Sequence, residues 1–249
     1  YHTTTAKYSG LFGGTAASAT IKNLKLKNSY FKETFSGFSY FGSIVGEVRG
    51  TFDTIYSNAI VETTSDAVGG MFGGIRDTVS INNCWFAGTL TNSNTNSQSH
   101  GGIVGYTADS GVNLTVSNCL NSGIITTAST KASIWAGGLI GGCDTHTNST
   151  VFVNNSLNVG KINVPSGTTK EYGPIIGGRG SLKKLEMEGN YATTESSSEP
   201  DTSDQYVIFT HLPETNFIGE TAKANMSLDW TNTWATVENS TPVLKAFQK

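Results

Sequence analysis

Residues 101–105 read Gly-Gly-Ile-Val-Gly, and this stretch of two apolar residues enclosed by glycines decides the fold because it recurs along the chain. Six copies, some with serine or proline in place of a glycine, stand at residues 9–13, 42–46, 69–73, 101–105, 137–141 and 173–177. Their closing glycines are 33, 27, 32, 36 and 36 residues apart. A period of about 20–50 residues is typical of solenoids, propellers and arrays. We therefore expect a scaffold of stacked repeats.

A second apolar pattern follows each glycine motif. An apolar residue is followed by a second position three residues later, and another apolar residue stands nine positions after the first. The six copies begin at Ile21, Phe52, Ile81, Val116, Val153 and Leu182 and close at Tyr30, Val61, Leu90, Ile125, Ile162 and Tyr191. Because both patterns recur together, we expect every repeat to fold in the same way.

Short strands and turns are the predicted secondary structure. Runs of two to five apolar residues are broken by Gly, Asn, Ser and Asp, and no stretch before residue 210 keeps a helical period. The chain has 29 glycines and only 5 prolines, so residues that tolerate positive φ make the turns. The sequence therefore predicts an all-β fold, a parallel β-helix (β-solenoid) of about six coils.

Stacked coils place equivalent residues about 4.8 Å apart, in columns of similar side chains. One predicted inward column contains Leu11, Ile44, Met71, Ile103, Leu139 and Ile175. A second contains Leu24, Ile55, Cys84, Cys119, Ser156 and Leu185. A polar corner column precedes the second, with amides expected to hydrogen-bond from coil to coil: Asn23, Thr54, Asn83, Asn118, Asn155 and Lys184.

The chain divides into three predicted parts. Residues 1–194 form the repeat domain, and residues 195–205 form a polar acidic loop. Residues 206–249 contain Trp230 and Trp234, and we expect this aromatic segment to cap the open end of the solenoid. An independent binding module is the alternative for this segment.

Composition narrows the possible partners and compartments. Net charge is −3 without a basic run, which argues against nucleic acid, and charged residues are only 14% of the chain. No apolar stretch has the length of a membrane span. The surface composition favours an extracellular protein, and since the chain starts at Tyr1 without Met or a signal peptide, we expect a fragment of a longer protein.

The cysteines do not indicate a metal site. Cys84 and Cys119 share one repeat position, so they are either buried thiols or a stacked disulfide, and Cys143 has no partner by repeat position. No metal-ligand spacing is present, and we expect no metal and no cofactor.

The glycine motif with its following pattern resembles the GLUG repeat. The resemblance rests on Gly101-Gly102-Ile103-Val104-Gly105-Tyr106 with residues 116–123, and on the ending around residues 217–219, 228–234 and 242–245. It covers about residues 8–191 and 217–247. GLUG repeats occur in large secreted or surface-attached bacterial proteins, including adhesins and the non-catalytic region of IgA-specific metallopeptidases. The resemblance implies a β-helical surface scaffold and supplies no catalytic residues.

The candidate ligand-binding residues stand five or six positions before each closing glycine: Tyr8, Tyr40, Phe41, His100, Trp135 and Tyr172. If they project outward, they form an aromatic stripe suited to stacking on sugar rings. If they turn inward, they pack the corners of the coils. The Ser/Thr/Asn-rich stretches 92–99, 126–133 and 144–150 are expected to protrude as loops, where recognition commonly resides.

Catalysis needs clustered carboxylates, and the acidic residues of the repeats are scattered. Arg49 and Arg76 share one position beside Glu47 and Asp77, where they either grip an anionic sugar or form a solvated corner. We therefore expect no enzyme. Together with the resemblance, this favours a secreted or cell-surface bacterial β-helix, an adhesin or ligand-presenting scaffold whose partners are host glycans, polysaccharide or extracellular-matrix protein. The alternatives are a carbohydrate-active β-helix, the glycan-binding module of such an enzyme, and a stalk without a ligand.

Overall fold

The chain winds into a parallel β-solenoid of about five turns in this computed structural model. The structure describes residues 2–35, 37–130, 134–143, 148–165, 170–193 and 209–248, and only the backbone at residues 170–172. The prediction of an all-β parallel β-helix with about six coils is confirmed.

The strands are short because each coil turns several corners. Those up to residue 92 are β1 His2–Thr4, β2 Tyr8–Ser9, β3 Phe12–Gly14, β4 Thr20–Leu26, β5 Tyr30–Glu33, β6 Tyr40–Gly42, β7 Val45–Ser57, β8 Ile60–Thr63, β9 Ala67–Gly69, β10 Phe72–Asn82, β11 Trp85–Phe86 and β12 Thr89–Asn92. Those that follow are β13 Ser99–Gly101, β14 Val104–Thr107, β15 Asn113–Ser117, β16 Leu120–Asn121, β17 Ile124–Thr127, β18 Ile134–Gly137, β19 Ile140–Cys143, β20 Thr150–Asn154, β21 Leu157–Asn158, β22 Lys161–Asn163, β23 Lys170–Gly173, β24 Ile176–Arg179, β25 Lys184–Glu188, β26 Tyr191–Thr193 and β27 Thr210–Leu212.

Three parallel sheets form the sides of the solenoid. Sheet A has the order β1-β5-β8-β12-β17-β22, and sheet B has the order β2-β6-β9-β13-β18-β23. The remaining solenoid strands form sheet C, which has fifteen strands. Each strand pairs with its equivalent in the next coil, as β12 does with both β8 and β17. Equivalent side chains therefore stack in columns along the solenoid.

The predicted inward columns fill the core. Ile44, Met71, Ile103, Leu139 and Ile175 are fully buried, whereas Leu11 in the first coil is 45% exposed. The second column is buried from Ile55 through Ser156. Sheet A supplies a third column, consisting of Phe31, Val61, Leu90, Ile125 and Ile162.

The predicted register is wrong in the first and last copies. Phe31, not Tyr30, pairs with Val61, because the first corner has one additional residue. In the last copy Val153 pairs with Met187, so Asn190 rather than Leu185 follows Ser156 in its column. The Asn190 side-chain oxygen accepts the Ser156 N–H at 3.1 Å.

The polar corner column is a row of left-handed turns. Positive φ values between 50° and 58° occur at Asn23, Thr54, Asn83, Asn118 and Asn155, and Gly189 continues the row at 63° in place of the predicted Lys184. Asparagine and glycine tolerate this conformation better than most residues. The amides do bond between coils, since Asn118 Nδ2 donates to Asn82 Oδ1 at 2.9 Å.

The closing glycine of each motif lets two sheets approach closely. A Cβ on Gly105 would come within 2.7 Å of the Val68 carbonyl carbon, and one on Gly73 within 2.9 Å of the Phe41 nitrogen. A residue with a Cβ atom could fit at Gly73 or Gly105 only if the backbone of sheet B moved. This contact between sheets B and C explains why the motif ends in glycine in the five copies from Gly46 onward.

The C-terminal segment lies along the side of the solenoid. After β27, which pairs with β26, it forms a 3₁₀ turn Glu214–Phe217, a helix α1 Thr221–Asn225, an antiparallel hairpin of β28 Trp234–Val237 and β29 Ser240–Leu244, and a 3₁₀ turn Lys245–Phe247. Phe217 and Trp234 belong to a cluster with Leu120 and Leu157 on the outer surface of sheet C. The Phe247 ring lies 5.8 Å from that of Tyr56.

This placement differs from the predicted cap on the open end. Among the described residues of this segment, β27 is the one strand that extends the last coil, whereas the aromatic residues cover outward side chains of several coils. The predicted loop 195–205 and residues 206–208 lie outside the described residues.

All three cysteines are buried and free of disulfide bonds. Cys84 and Cys119 stack as predicted, and burial raises the pKa of the Cys84 thiol. In the described part of the chain, no cluster of three His, Cys, Asp or Glu residues could hold a metal ion. Within the same residues, no helix has the length and apolar character needed to cross a membrane.

Candidate functional site

The predicted aromatic stripe divides between two faces of sheet B. Phe41 and His100 share an inward column and are fully buried, while Tyr8, Tyr40 and Trp135 share the neighbouring outward column. Adjacent residues of a strand point to opposite faces of the sheet. The predicted stripe combined residues five and six positions before the closing glycine, so its members lie on both faces. The Tyr172 side chain lies outside the described residues.

The outward aromatic residues are nevertheless covered. Tyr40 is 2% exposed and Trp135 is 9% exposed, because outward glycines of sheet C make room for their rings. A Cβ on Gly74 would come within 2.6 Å of the Tyr40 ring. Tyr8 stacks on Tyr40 with ring centroids 5.5 Å apart, and Tyr106 stacks on Trp135 at 6.0 Å.

The packing alternative therefore describes these residues better than ligand contact does. Tyr40, Phe41, His100 and Trp135 present too little surface for a sugar ring to stack on them. Tyr8 is half-buried and keeps some accessible surface. Burial also raises the pKa of Tyr40 to about 12, so this phenol stays protonated over the physiological range.

The two arginines beside this cluster are neutralised by carboxylates. Arg49 forms an ion pair with Glu47 at 2.5 Å, and Arg76 contacts Glu47 at 3.5 Å and also pairs with Asp109. The Arg76 guanidinium lies over the Tyr40 ring, 5.1 Å from its centroid. Since both cations already have anionic partners, this corner lacks the free positive charge needed to grip an anionic sugar.

A surface depression lies at the ends of three strands of sheet A. Its volume is about 630 Å³, and we call it the loop groove. It is formed by the loops that follow β5, β8 and β12 in three consecutive coils. Its lining residues are Thr34, Phe35, Gly37, Thr64, Asp66, Ser93, Asn94, Thr95 and Asn96.

Hydrogen bonds between coils hold these loops in place. Asn94 Nδ2 donates to the Thr64 carbonyl oxygen at 2.8 Å, and Thr64 Oγ1 donates to the Phe35 carbonyl oxygen at 3.2 Å. The Asn96 N–H is held by Asn94 Oδ1 at 2.8 Å. The groove is therefore pre-organised, which reduces the ordering cost of binding.

A buried carboxylate lies beneath the loop groove. Glu33 accepts the hydroxyls of Thr63 and Ser65, each at 2.7 Å, and also the Phe35 N–H. Three donors compensate the burial of this acidic group. Glu33 therefore fixes the backbone that carries Phe35.

The polar network continues along the inside of the corner to His100. Asn92 Nδ2 lies 3.1 Å from His100 Nε2, which is 3.0 Å from Ser97 Oγ. Burial lowers the pKa of His100 to about 3, so the imidazole is neutral at neutral pH. His100 belongs to the support of the groove loops rather than to a ligand surface.

A second, smaller depression adjoins the first, which we call the strand groove. It has a volume of about 140 Å³ and shares Thr34, Thr64 and Ser93 with the loop groove. Its other lining residues include Lys32, Glu62 and Thr91. Lys32 Nζ lies 3.8 Å from Glu62 Oε2, which also accepts the Tyr30 hydroxyl at 2.6 Å.

The chemistry of both grooves suits a neutral, hydroxyl-rich ligand. Threonine, serine and asparagine groups surround one partly exposed phenylalanine ring, Phe35. Among the described lining residues, Lys32 is the one cation, against Glu33, Glu62 and Asp66. This balance disfavours anionic ligands.

Sequence reasoning identified one part of this site. The stretch 92–99 was expected to form a recognition loop, and residues 93–96 do line the groove. Thr34, Phe35 and Thr64 were not singled out, although Thr34 and Thr64 each directly follow a sheet A strand at the same point of the repeat.

Comparison with known proteins supports the fold alone. No family model matches the chain, and a search of curated proteins found no match. A solved structure from Bacteroides ovatus, named "putative immunoglobulin A1 protease", matches with a TM-score of 0.59 and 18% sequence identity. The match covers 94% of this chain and 77% of the other. The chain thus belongs to the class of β-solenoid proteins.

Proposed function

We propose that this chain is a non-catalytic β-solenoid scaffold that binds neutral glycans in the loop groove. The observation that carries the proposal is the ring of hydroxyl and amide groups around Phe35, held by three consecutive coils. Sugar-binding sites need an apolar face for the C–H groups of the sugar together with fixed hydrogen-bonding partners for its hydroxyls. The loop groove offers both.

The non-catalytic part of the proposal is supported by the contacts of two carboxylates at the grooves, Glu33 and Glu62. Glu33 already accepts three hydrogen bonds, and Glu62 is engaged by Lys32 and Tyr30. Glycoside hydrolysis requires two carboxyl groups that face the substrate from both sides of the bond. These two groups are occupied by the protein itself.

A secreted or cell-surface location in a bacterium, as part of a longer GLUG-repeat protein, belongs to the same proposal. It is supported by the six glycine motifs, the low share of charged residues and the resemblance described above. An adhesin role follows if the bound glycan is one of a host. Contacts of modest strength then gain avidity when several copies are displayed.

A glycan array tests the proposed binding. The array contains neutral glucans, mannans, xylans, galactans and host glycans beside uronic-acid and sialylated glycans. We expect saturable binding to a neutral member, abolished by Phe35→Ala. The matched control is Phe38→Ala, since Phe38 is 45% exposed on the same loop but does not line the groove.

Two results would contradict the proposal. One is an array without a bound neutral glycan. The other is equal loss of binding in both variants, which would place the ligand outside the loop groove. Cleavage of the bound glycan during incubation would instead support the carbohydrate-active alternative.

A further inference from the structure

The two grooves form one continuous depression on sheet A. They share Thr34, Thr64 and Ser93, so a ligand seated beside Phe35 passes directly over the strand groove. The strand groove extends from the loops onto the outer face of the sheet, where Lys32, Glu62 and Thr91 line it. A ligand longer than the loop groove therefore has a path across the strands.

A polar column marks this path. The outward residues Lys32, Glu62, Thr91, Thr126 and Asn163 are in register on five neighbouring strands. Successive members are about 4.8 Å apart, and the column runs across the strands. Asn163 Nδ2 donates to Thr126 Oγ1 at 3.2 Å, which continues the polar surface beyond the grooves.

A mixed column, in which a threonine separates two exposed isoleucines, runs beside the polar one. It contains Tyr30, Ile60, Thr89, Ile124 and Lys161, of which Ile60 is 49% and Ile124 is 42% exposed. An extended polysaccharide has the matching pattern, since hydroxyl groups line its edges and C–H groups cover its faces. Exposed isoleucines beside a row of polar side chains therefore fit a sugar chain laid along the solenoid.

Resting on the proposed function, we infer that the glycan site continues from the loop groove across sheet A and takes an internal stretch of a neutral polysaccharide. The loop groove holds one or two sugar units beside Phe35. The following units lie over Thr91 and Thr126. Affinity accordingly rises with the length of the sugar chain.

Isothermal titration calorimetry with oligosaccharide fragments of one to six sugar units tests this inference. The fragments are cut from the glucan, mannan, xylan or galactan that binds on the array. We expect the six-unit fragment to bind at least tenfold more tightly than the two-unit fragment. Loss of one hydrogen bond in Thr126→Ala should weaken binding of the six-unit fragment by about two- to tenfold and leave the two-unit fragment unchanged.

Thr115→Ala is the matched control. Thr115 is half-buried like Thr126 but points outward from sheet C, so both fragments should bind this variant as they bind the native chain. Thermal melts by circular dichroism establish that both variants are folded. Equal affinity for two-unit and six-unit fragments, or no effect of Thr126→Ala, would overturn the inference and leave the loop-groove proposal standing. A silent array would refute both.

Discussion

Trp135 packs its indole ring against Gly178 of the following coil, where even a methyl group would collide with the ring. Gly142 makes room for the same ring in its own coil. The outer surface between sheets B and C is therefore a second, small core in which large residues of one sheet face glycines of the other. Where sheet B has the smaller Ala67, sheet C has room for Tyr106.

This packing predicts a large stability loss for Trp135→Ala. Truncating a buried tryptophan typically costs about 3–5 kcal/mol in free energy of unfolding, from lost burial and the cavity left behind. Chemical denaturation followed by circular dichroism measures the change. A loss below about 1 kcal/mol would show that the ring is accessible, as an aromatic ligand stripe requires.

Ile103→Asp should prevent cooperative folding of the central coils. Ile103 is fully buried between Met71 and Leu139, so the substitution places a carboxylate in a column shared by neighbouring coils. The control is Ile124→Asp, because Ile124 is an exposed isoleucine of the same repeat. A thermal melt of Ile103→Asp as cooperative as that of the control would contradict the position of this column in the core.

His100 should make the protein less stable in acid. Its pKa is about 3 in the folded chain, against about 6.5 for an unperturbed histidine, so the unfolded state binds a proton first. The neutral state of His100 therefore contributes fully to the free energy of unfolding above pH 6.5. Below that pH, the free energy of unfolding falls by about 1.4 kcal/mol for each pH unit until about pH 3.

His100→Gln should remove this part of the pH dependence. Urea unfolding at pH 7 and pH 5 gives the difference in free energy of unfolding, which should be smaller in the variant by about 2 kcal/mol. His2→Gln, at an exposed position, should keep the native slope. A native slope in His100→Gln would mean that His100 accepts its proton while folded.

The C-terminal segment should stabilise several coils at once. Trp234 is fully buried in the cluster that joins this segment to Leu120 and Leu157 of sheet C. Trp234→Ala should therefore lower the free energy of unfolding by about 3–5 kcal/mol and expose apolar surface to a hydrophobic dye. Unfolding of the segment alone, with the solenoid transition unchanged, would show that it is an independent module.

The repeat made the solenoid and its core predictable from sequence. Columns through Ile103 and Cys119 follow from spacing, because identical coils stack at a fixed distance. The register failed at Leu182, where the Leu-x-x-Leu pattern of residues 182–185 overlaps the start of β25 and the linker after Gly177 reaches the true partner of Val153 only at Met187. Local pattern cannot measure the length of such a linker.

The candidate site was less predictable because it joins separate parts of the chain. Burial of Tyr40 depends on Gly74, which lies in another sheet of the next coil. The loop groove depends on Phe35 and Asn96 meeting across three coils. Neither relationship is visible in one stretch of sequence, although each residue occupies a regular place in the repeat.

A crystal structure of the chain with the six-unit fragment that binds in titration tests the central claim most directly. We predict electron density for a sugar ring against Phe35, with hydroxyl groups bonded to the loop of Asn96 and following units over Thr91. Density for the fragment on the C-terminal segment or on the outer face of sheet C, with an empty loop groove, would contradict the account.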